Sequence, residues 1–164
     1  MDLEQRHLIL SVLSRTDTLT VATVREDGWP QATVVSFVND DLAIYFGTAP
    51  DSQKIENIAR DSRVSATITP EREGSKPVQA ISLAGMAERV MDAGELLRVA
   101  GLVLKKFPRP APPLPAGVLE GVAVVRLRPT MVSLLDYSRS FGQTDLIDLG
   151  DSQASPDHPE DRLS

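Results

Sequence analysis

Residues 18–47 read TLTVATVREDGWPQATVVSFVNDDLAIYFG and contain three apolar runs separated by two short polar segments. The three runs are rich in β-branched and aromatic residues, and apolar and polar residues alternate along the first of them, 18–24, as is typical of a strand with one buried face. The polar segments, REDG at 25–28 and NDD at 39–41, are short enough to join antiparallel neighbours. The stretch therefore predicts an antiparallel meander with strands over residues 18–24, 29–38 and 42–47.

The regions on either side extend this pattern. Apolar residues recur at helical spacing over residues 3–14, which predicts an amphipathic helix before the meander. A short helix is predicted to begin near Ser52, just after the third strand. Alternating sequences then predict strands over residues 63–69 and 78–90, and Gly85 lies where a barrel strand could bend.

The C-terminal part contains another helix, a proline-rich segment and the last strands. Residues 93–107 are predicted to form a helix, because their apolar residues lie on one side of it. The helix ends before PRPAPPLPAG at 108–117, which is too rich in proline for anything but a surface loop. Residues 121–129 and 130–137 are predicted to form two final strands.

The order of these elements predicts the fold class. About six strands follow one another mainly through hairpins, and alternating strand–helix units are missing, which argues against a parallel sheet. We therefore expect an α+β fold, an antiparallel split β-barrel of about six strands with a few peripheral helices. Residues 1–150 are expected to form this split-barrel domain. Residues 151–164 have almost no apolar content and are expected to form a disordered acidic tail.

Composition excludes several classes of function. The chain has 164 residues, 41% of them apolar, and no apolar run approaches the ~20 residues of a membrane helix. It has no cysteine, which excludes disulfides, thiolate metal sites and a cysteine nucleophile, and its two histidines, His7 and His158, lie near opposite termini. The net charge of −6, with scattered basic residues, argues against a nucleic-acid partner. Because the N-terminal sequence lacks the layout of a signal peptide, we expect a cytoplasmic protein with no membrane partner.

The sequence GTAPDSQK at 47–54 carries a candidate anion site. A helix that begins near Ser52 exposes backbone N–H groups and the positive end of its dipole, and anions bind there readily. Thr48 and Ser52 add hydroxyl groups, and Lys54 adds a charge that can swing back to the start of the helix. Together they would suit a monoester phosphate. The alternative is that Asp51 or Ser52 only caps the helix and that Lys54 is a solvated surface lysine.

Residues 32–69, ATVVSFVNDDLAIYFGTAPDSQKIENIARDSRVSATIT, resemble the pyridoxamine 5′-phosphate oxidase-like family, the flavin-binding split barrels. The resemblance covers about residues 5–138. It rests on the order and spacing of several motifs: a strand after a glycine turn, a strand ending in Gly47-Thr48, the Ser-x-Lys of 52–54, Asn57 in the short helix, Arg63-Val64 opening the next strand, and LAGMAE at 83–88.

The resemblance implies a cofactor, its binding residues and an assembly. The cofactor would be FMN, bound in a cleft between the subunits of a homodimer. The isoalloxazine ring would lie along one strand, the ribityl chain near the end of the next, and the phosphate at the start of the short helix. The residues so assigned are Thr33, Val34, Val35 and Ser36 for the ring, Gly47 and Thr48 for the ribityl chain, and Ser52 and Lys54 for the phosphate. Apolar residues on both faces of VATV and VVSFV also favour a dimer.

The segment DYSRSFGQTDLIDL at 136–149 offers further candidates. Tyr137 and Phe141 could pack against an edge of the flavin, and Arg139 or Gln143 could reach a polar atom of the cofactor or substrate. The alternative is that Tyr137 ends a strand and that Phe141 plugs the barrel.

The chain departs from the vitamin B6 oxidases of that family in its charges. Ala32 and Phe37 stand where those enzymes carry cations. The triplet Ser52-Gln53-Lys54 stands where they have Ser-Arg-Lys. Each missing charge-assisted contact is worth ~1.5–3 kcal/mol, so FMN would be held less tightly. The Arg- and His-bearing C-terminal segment that grips the vitamin is also missing, which indicates a divergent relative.

Three functions fit these features. The first is an FMN-dependent oxidoreductase that acts on a small molecule by hydride transfer through the flavin, with no acid, base or metal supplied by side chains. The second is a deazaflavin-dependent reductase on the same fold. The third is a non-catalytic protein that binds or stores flavin or haem.

Two other features receive structural interpretations. Trp29 follows a turn and precedes Pro30, and it is predicted to cap one end of the barrel; the alternative is that it stacks on a ligand. Lys105 and Lys106 are predicted to form a solvated helix end near the negative pole of the helix dipole; the alternative is a role near the cofactor of a partner subunit.

Overall fold

The computed structural model describes residues 1–71, 79–108, 121–136 and 144–150. In these ranges the chain forms three helices and seven strands. They are α1 (Leu3–Ser14), β1 (Thr18–Val24), β2 (Pro30–Asp40), β3 (Ala43–Thr48), α2 (Gln53–Arg60), β4 (Arg63–Ile68), β5 (Gln79–Arg89), α3 (Ala93–Lys106), β6 (Ala123–Asp136) and β7 (Thr144–Asp148). Residues 109–117 of the predicted loop and the predicted tail, 151–164, lie outside the described residues.

The strands form one antiparallel barrel. They are hydrogen-bonded in the order β3–β2–β1–β4–β5–β6–β7, and β3 also pairs with β6. That extra pairing closes β1 to β6 into a barrel. Where a strand pairs with a neighbour on both sides, it has no open edge. Strand β7 pairs with the second half of β6. The predicted α+β split barrel is confirmed.

The barrel interior holds the main hydrophobic core. Residues along β4 alternate strictly between exposed and buried, and β1 and β5 follow the same period of two. Phe37 on β2 and Phe46 on β3 are paired across the ladder and are both buried in this core. Helix α1 contributes Ile9, Val12 and Leu13 to the same core.

Helix α1 begins at a capping box. The Asp2 carboxylate accepts a hydrogen bond from the backbone N of Gln5 at 2.7 Å, and the Gln5 side chain accepts one from the backbone N of Asp2 at 3.0 Å. This reciprocal pair satisfies two backbone donors at the helix start and explains why the helix begins where the sequence predicts.

Within the described residues, each helix is too short or too polar to traverse a lipid bilayer.

Helix α3 packs against the outer surface of the barrel. It covers a second buried cluster formed by Val38, Tyr45, Val90 and Val99. Polar contacts reinforce this packing, since the Glu95 carboxylate accepts hydrogen bonds from Tyr45 Oη at 2.9 Å and from Arg126 Nη1 at 2.6 Å. Arg126 also forms an ion pair with Glu88 on β5. Its hydrogen bond holds the pKa of the Glu88 carboxyl below its ordinary value.

Strand β6 is one continuous strand, and so the prediction of two strands over residues 121–129 and 130–137 is wrong. Pro129, the last residue of the first of these predicted strands, lies opposite Gly85, where the β5–β6 register shifts at a bulge. The backbones approach so closely there that a Cβ atom on Gly85 would lie 2.3 Å from the carbonyl oxygen of Arg128. The bulge accommodates a residue without an N–H donor. Strand β7 was not predicted as a strand.

Two side chains differ from their interpretations. Trp29 is 71% exposed and does not cap the barrel. Lys105 is exposed as expected, but Lys106 is not a solvated lysine: its Nζ donates to the carbonyl oxygen of Thr16 at 2.6 Å and lies 3.8 Å from the centroid of the Phe37 ring. Burial lowers the pKa of Lys106.

Candidate functional site

The turn after β3 and the start of α2 bring two hydroxyl groups together. The backbone N of Ser52 donates to the carbonyl oxygen of Ala49 at 3.1 Å, which closes the turn. Ser52 occupies the N-cap position, but its side chain makes no capping hydrogen bond. Its Oγ instead lies 3.1 Å from Oγ1 of Thr48. The interpretation of Ser52 as only a side-chain cap is therefore wrong.

Lys54 completes this cluster. Its side chain turns back over the start of α2 and donates from Nζ to Oγ1 of Thr48 at 3.0 Å, and the residue is half-buried. We call Thr48, Ser52 and Lys54 the hydroxyl–lysine cluster. It combines an ammonium group, two hydroxyls and the positive end of a helix dipole, which are the groups that bind an oxyanion. The structure thus brings together three of the predicted site residues.

Strand β2, which carries the residues predicted to bind the flavin ring, has one open edge. Residues 30–36 pair with β1 along one edge, whereas pairing with β3 begins only at Phe37. No strand among the described residues pairs with the other edge of residues 31–36. On this edge, the backbone N–H and C=O groups of alternate residues have no strand partner within the described ranges.

The side chains of this strand divide between the two faces. Val35 is buried in the core, so it can contribute only its backbone to a ligand. Val34 is 65% exposed and Ser36 is exposed, so both side chains lie on the outer face. Thr33 is partly buried.

The other predicted residues have mixed outcomes. Gly47 is exposed and pairs with Val124, and a Cβ atom at this position would lie 3.0 Å from Cγ1 of Val122. A side chain at position 47 would therefore crowd Val122. Tyr137, Phe141, Arg139 and Gln143 all lie outside the described residues. Phe37 is part of the barrel core and Ala32 is exposed. Both side chains are uncharged, so neither supplies the cation that the vitamin B6 oxidases carry at the matching position.

Asn57, which sequence reasoning named only as part of a motif, is a buried polar residue at the base of this site. It is 0% exposed, and its Nδ2 donates to Oγ1 of Thr23 at 2.9 Å and to Oε1 of Gln31 at 3.1 Å. Its Oδ1 accepts hydrogen bonds from Gln53 Nε2 and Arg60 Nη2, both at 3.2 Å. The sequence signal for a buried role of Asn57 is its position beside Ile58, on the face of a short helix that packs on the barrel.

The described residues contain no group of three or more His, Cys, Asp or Glu side chains that could hold a metal ion. Lys54 supplies a positive charge at the start of α2. Arg60 and Arg63 lie at and beyond the other end of the helix, where Arg63 is paired with Asp61 and Arg60 is bonded to Asn57 and to the carbonyl oxygen of Val24. The Arg63 guanidinium lowers the pKa of Asp61 to about 2.

Comparisons with known proteins agree with this architecture. A protein from Mycobacterium smegmatis described as haem-binding superposes with a TM-score of 0.71 at 21% identity, over 90% of this chain and 59% of that protein's length. A conserved hypothetical protein from Mycobacterium tuberculosis matches at 25% identity with a TM-score of 0.67, over 94% and 95% of the two chains. The haem storage protein HutZ from Vibrio cholerae gives a TM-score of 0.59 at 19% identity, over 79% and 91%. No curated protein matches the chain.

The family comparison covers the whole barrel. The model of the family described as pyridoxamine 5′-phosphate oxidase matches residues 6–135. This range includes strands β1 to β5, all of β6 except its last residue, the open edge of β2 and the hydroxyl–lysine cluster. The charge differences at Ala32, Phe37 and Gln53 lie within the matched range. The chain belongs to the pyridoxamine 5′-phosphate oxidase family.

Proposed function

We propose that the chain is an FMN-binding oxidoreductase that acts on a small molecule by hydride transfer through the flavin. The observation that carries this proposal is the hydroxyl–lysine cluster, in which Lys54 folds back onto Thr48 at the start of α2. The open edge of β2 and membership of the family support it.

The phosphate end of the cofactor suits the cluster. A lysine ammonium has three donors, and hydroxyl groups can donate to any acceptor within reach. One of the three N–H donors of Lys54 is bonded to Thr48, which leaves two for phosphate oxygens. Because Lys54 is half-buried, its interaction with an anion is screened less than that of a fully exposed lysine.

The ring end would use the open edge of β2. Backbone amide and carbonyl groups of residues 31–36 would meet the donors and acceptors of the isoalloxazine, with Val34 and Ser36 beside the ring. When bound, the flavin supplies the hydride chemistry itself. The part played by these residues is to fix the ring and to exclude water from it, and no described side chain is assigned as an acid or base.

A homodimer with the cofactor cleft at the subunit interface is part of the proposal. Several large apolar side chains are exposed at outward positions of the strands, which favours burial by a second copy. They are Val34, Met86, Met131 and Leu146. Val34 lies in the stretch of β2 assigned to the ring, so covering it with a partner would also cover the ring.

Haem binding or storage without turnover is the second candidate, because two structural neighbours are named for haem. A deazaflavin is the alternative cofactor, and it would use the same phosphate-binding cluster. His7, the histidine within the described residues, lies exposed on α1 and offers no buried haem ligand there.

The absorption spectrum of the purified protein, before and after addition of FMN, tests the proposal. We expect two visible flavin bands and FMN binding in titration, together with sedimentation as a dimer. A Soret band with no affinity for FMN would favour the haem candidate. A monomer at micromolar concentration that still holds FMN would contradict the shared cleft.

A further inference from the structure

Asn57 is a buried polar side chain that joins three elements. Its amide contacts Thr23 on β1, Gln31 on β2, and Gln53 and Arg60 on α2. A side-chain amide has two N–H donors and two acceptor lone pairs, and all four are used here. The residue is thus fully satisfied although it is 0% exposed.

The hydrogen bonds of Asn57 impose a direction on the packing of α2, which an apolar side chain would not do. Burying an amide has a desolvation cost that its hydrogen bonds largely offset, so the net gain in stability is small. Hydrogen bonds are directional, however, and a fully satisfied buried network favours one seating of its elements. Asn57 therefore fixes where α2 sits on the β1–β2 hairpin more than it stabilises the fold.

The network leads directly to the hydroxyl–lysine cluster. Gln53, the first residue of α2, stands between Ser52 and Lys54, and its Nε2 donates to Oδ1 of Asn57. The carbonyl oxygen of Ser52 accepts hydrogen bonds from the backbone N atoms of Ile55 at 2.9 Å and Glu56 at 3.3 Å. Asn57 thus anchors the first turn of the helix that presents Ser52 and Lys54.

The opposite side of the network leads to the open edge of β2. Gln31, which accepts a hydrogen bond from Nδ2 of Asn57, begins the stretch 31–36, which pairs with β1 on one edge and has no strand partner among the described residues on the other. We propose that Asn57 is a positioning residue: it sets the location of the phosphate-binding cluster relative to the ring-binding edge of β2. This inference rests on the proposed flavin site.

The test compares FMN with riboflavin, which lacks the phosphate. In Asn57→Ala, the start of α2 is no longer tied to β2, so the dissociation constant for FMN should rise about two- to tenfold more than that for riboflavin. Gln31→Ala, which keeps Asn57 and removes one of its partners, should give a smaller change in the same direction and serves if Asn57→Ala does not fold. Thr16→Val is the matched control, because Thr16 is a buried polar residue bonded to the carbonyl oxygen of Val12, outside this network.

A double variant tests whether Asn57 acts through Lys54. Once Lys54→Ala has removed the phosphate contact, adding Asn57→Ala should leave the ratio of FMN to riboflavin affinity nearly unchanged. Equal weakening of both ligands by Asn57→Ala would overturn the inference, since a merely structural residue behaves in that way. Additive effects in the double variant would also overturn it.

Hydrogen exchange of the ligand-free protein tests the same inference without flavin. The amides of Ile55 and Glu56 should exchange faster in Asn57→Ala than in Thr16→Val, while those of β5 should match between the two variants. Unchanged exchange at these amides would show that Asn57 does not order the start of α2 and would overturn the inference. If the wild-type protein binds neither flavin, the proposed function is wrong, and the exchange data alone decide whether Asn57 anchors the helix.

Discussion

The Nζ atom of Lys54 lies 3.0 Å from the Oγ1 atom of Thr48, so a lysine in the first turn of α2 reaches back to the last residue of β3. The same Oγ1 atom lies 3.1 Å from the hydroxyl of Ser52. Thr48 therefore links the cation to the second hydroxyl. This contact holds the three groups in one place before any anion binds.

Thr48→Val should separate these groups while keeping the size and β-branching of the side chain. Because the cluster loses its central hydroxyl, we expect FMN to bind about two- to tenfold more weakly, with little change for riboflavin. Fluorescence titration measures both constants. Thr67→Val, an exposed threonine on β4, is the matched control and should leave both unchanged.

Gly85→Ala should destabilise the barrel. A Cβ atom there would lie 2.3 Å from the carbonyl oxygen of Arg128, and this backbone atom cannot move without disturbing the β5–β6 ladder. The free energy of unfolding in urea should fall by about 1–3 kcal/mol or more. Gly101→Ala is the control: a Cβ at this exposed position on α3 has no neighbour within 4 Å, and alanine should stabilise the helix by about 0.5–1 kcal/mol. Equal stability of wild type and Gly85→Ala would contradict the bulge as described.

The ion pair between Glu88 and Arg126 should contribute stability that depends on pH. The hydrogen bond from Arg126 lowers the pKa of Glu88 from its ordinary value of 4.5 in the folded state. The contribution is therefore present above pH 4.5 and is lost as pH falls through the lower pKa of the folded state. Because Glu88 is exposed to solvent, the effect should be at most about 1 kcal/mol.

Urea unfolding of wild type and Glu88→Gln as a function of pH measures this contribution. The two curves should differ by a constant amount at neutral pH and converge below pH 4.5. A difference that grows on acidification would show that the pair does not act in this way.

Lys106→Ala should cost about 1–2 kcal/mol of stability, since it removes a charge-assisted hydrogen bond to the carbonyl oxygen of Thr16 and a cation over the Phe37 ring. Lys105→Ala, one residue earlier and exposed, should change the stability by less than about 0.5 kcal/mol. Thermal unfolding of the two variants distinguishes these effects. Similar losses for both would indicate a general effect of charge on α3.

Local sequence signals account for the parts that were predicted correctly. The prediction of the three strands between residues 18 and 48 rests on β-branched and aromatic runs and short turns, and that of α1 rests on apolar residues at helical spacing. The hydroxyl–lysine cluster is also local, because Thr48 and Lys54 are six residues apart. Such contacts form within one turn or one hairpin and leave a pattern in adjacent residues.

Contacts between distant residues account for the rest. The predicted break after Pro129 is wrong because the partner of Pro129, the bulge at Gly85, is far away in the sequence. Lys106 looked like a solvated lysine because its acceptor is Thr16, 90 residues earlier. The hydrogen bond from Asn57 to Gln31 spans 26 residues, and no local pattern reveals it.

Titration of FMN and riboflavin into wild type and Lys54→Ala tests most directly whether the hydroxyl–lysine cluster binds the cofactor's phosphate. Loss of one charge-assisted contact is worth ~1.5–3 kcal/mol, so FMN should bind Lys54→Ala about one to two decades more weakly. Riboflavin should bind both proteins equally, and Lys105→Ala should behave as wild type with both ligands. If FMN binds Lys54→Ala as tightly as wild type, or if riboflavin weakens in parallel with FMN, Lys54 does not hold the phosphate and the proposed site is wrong.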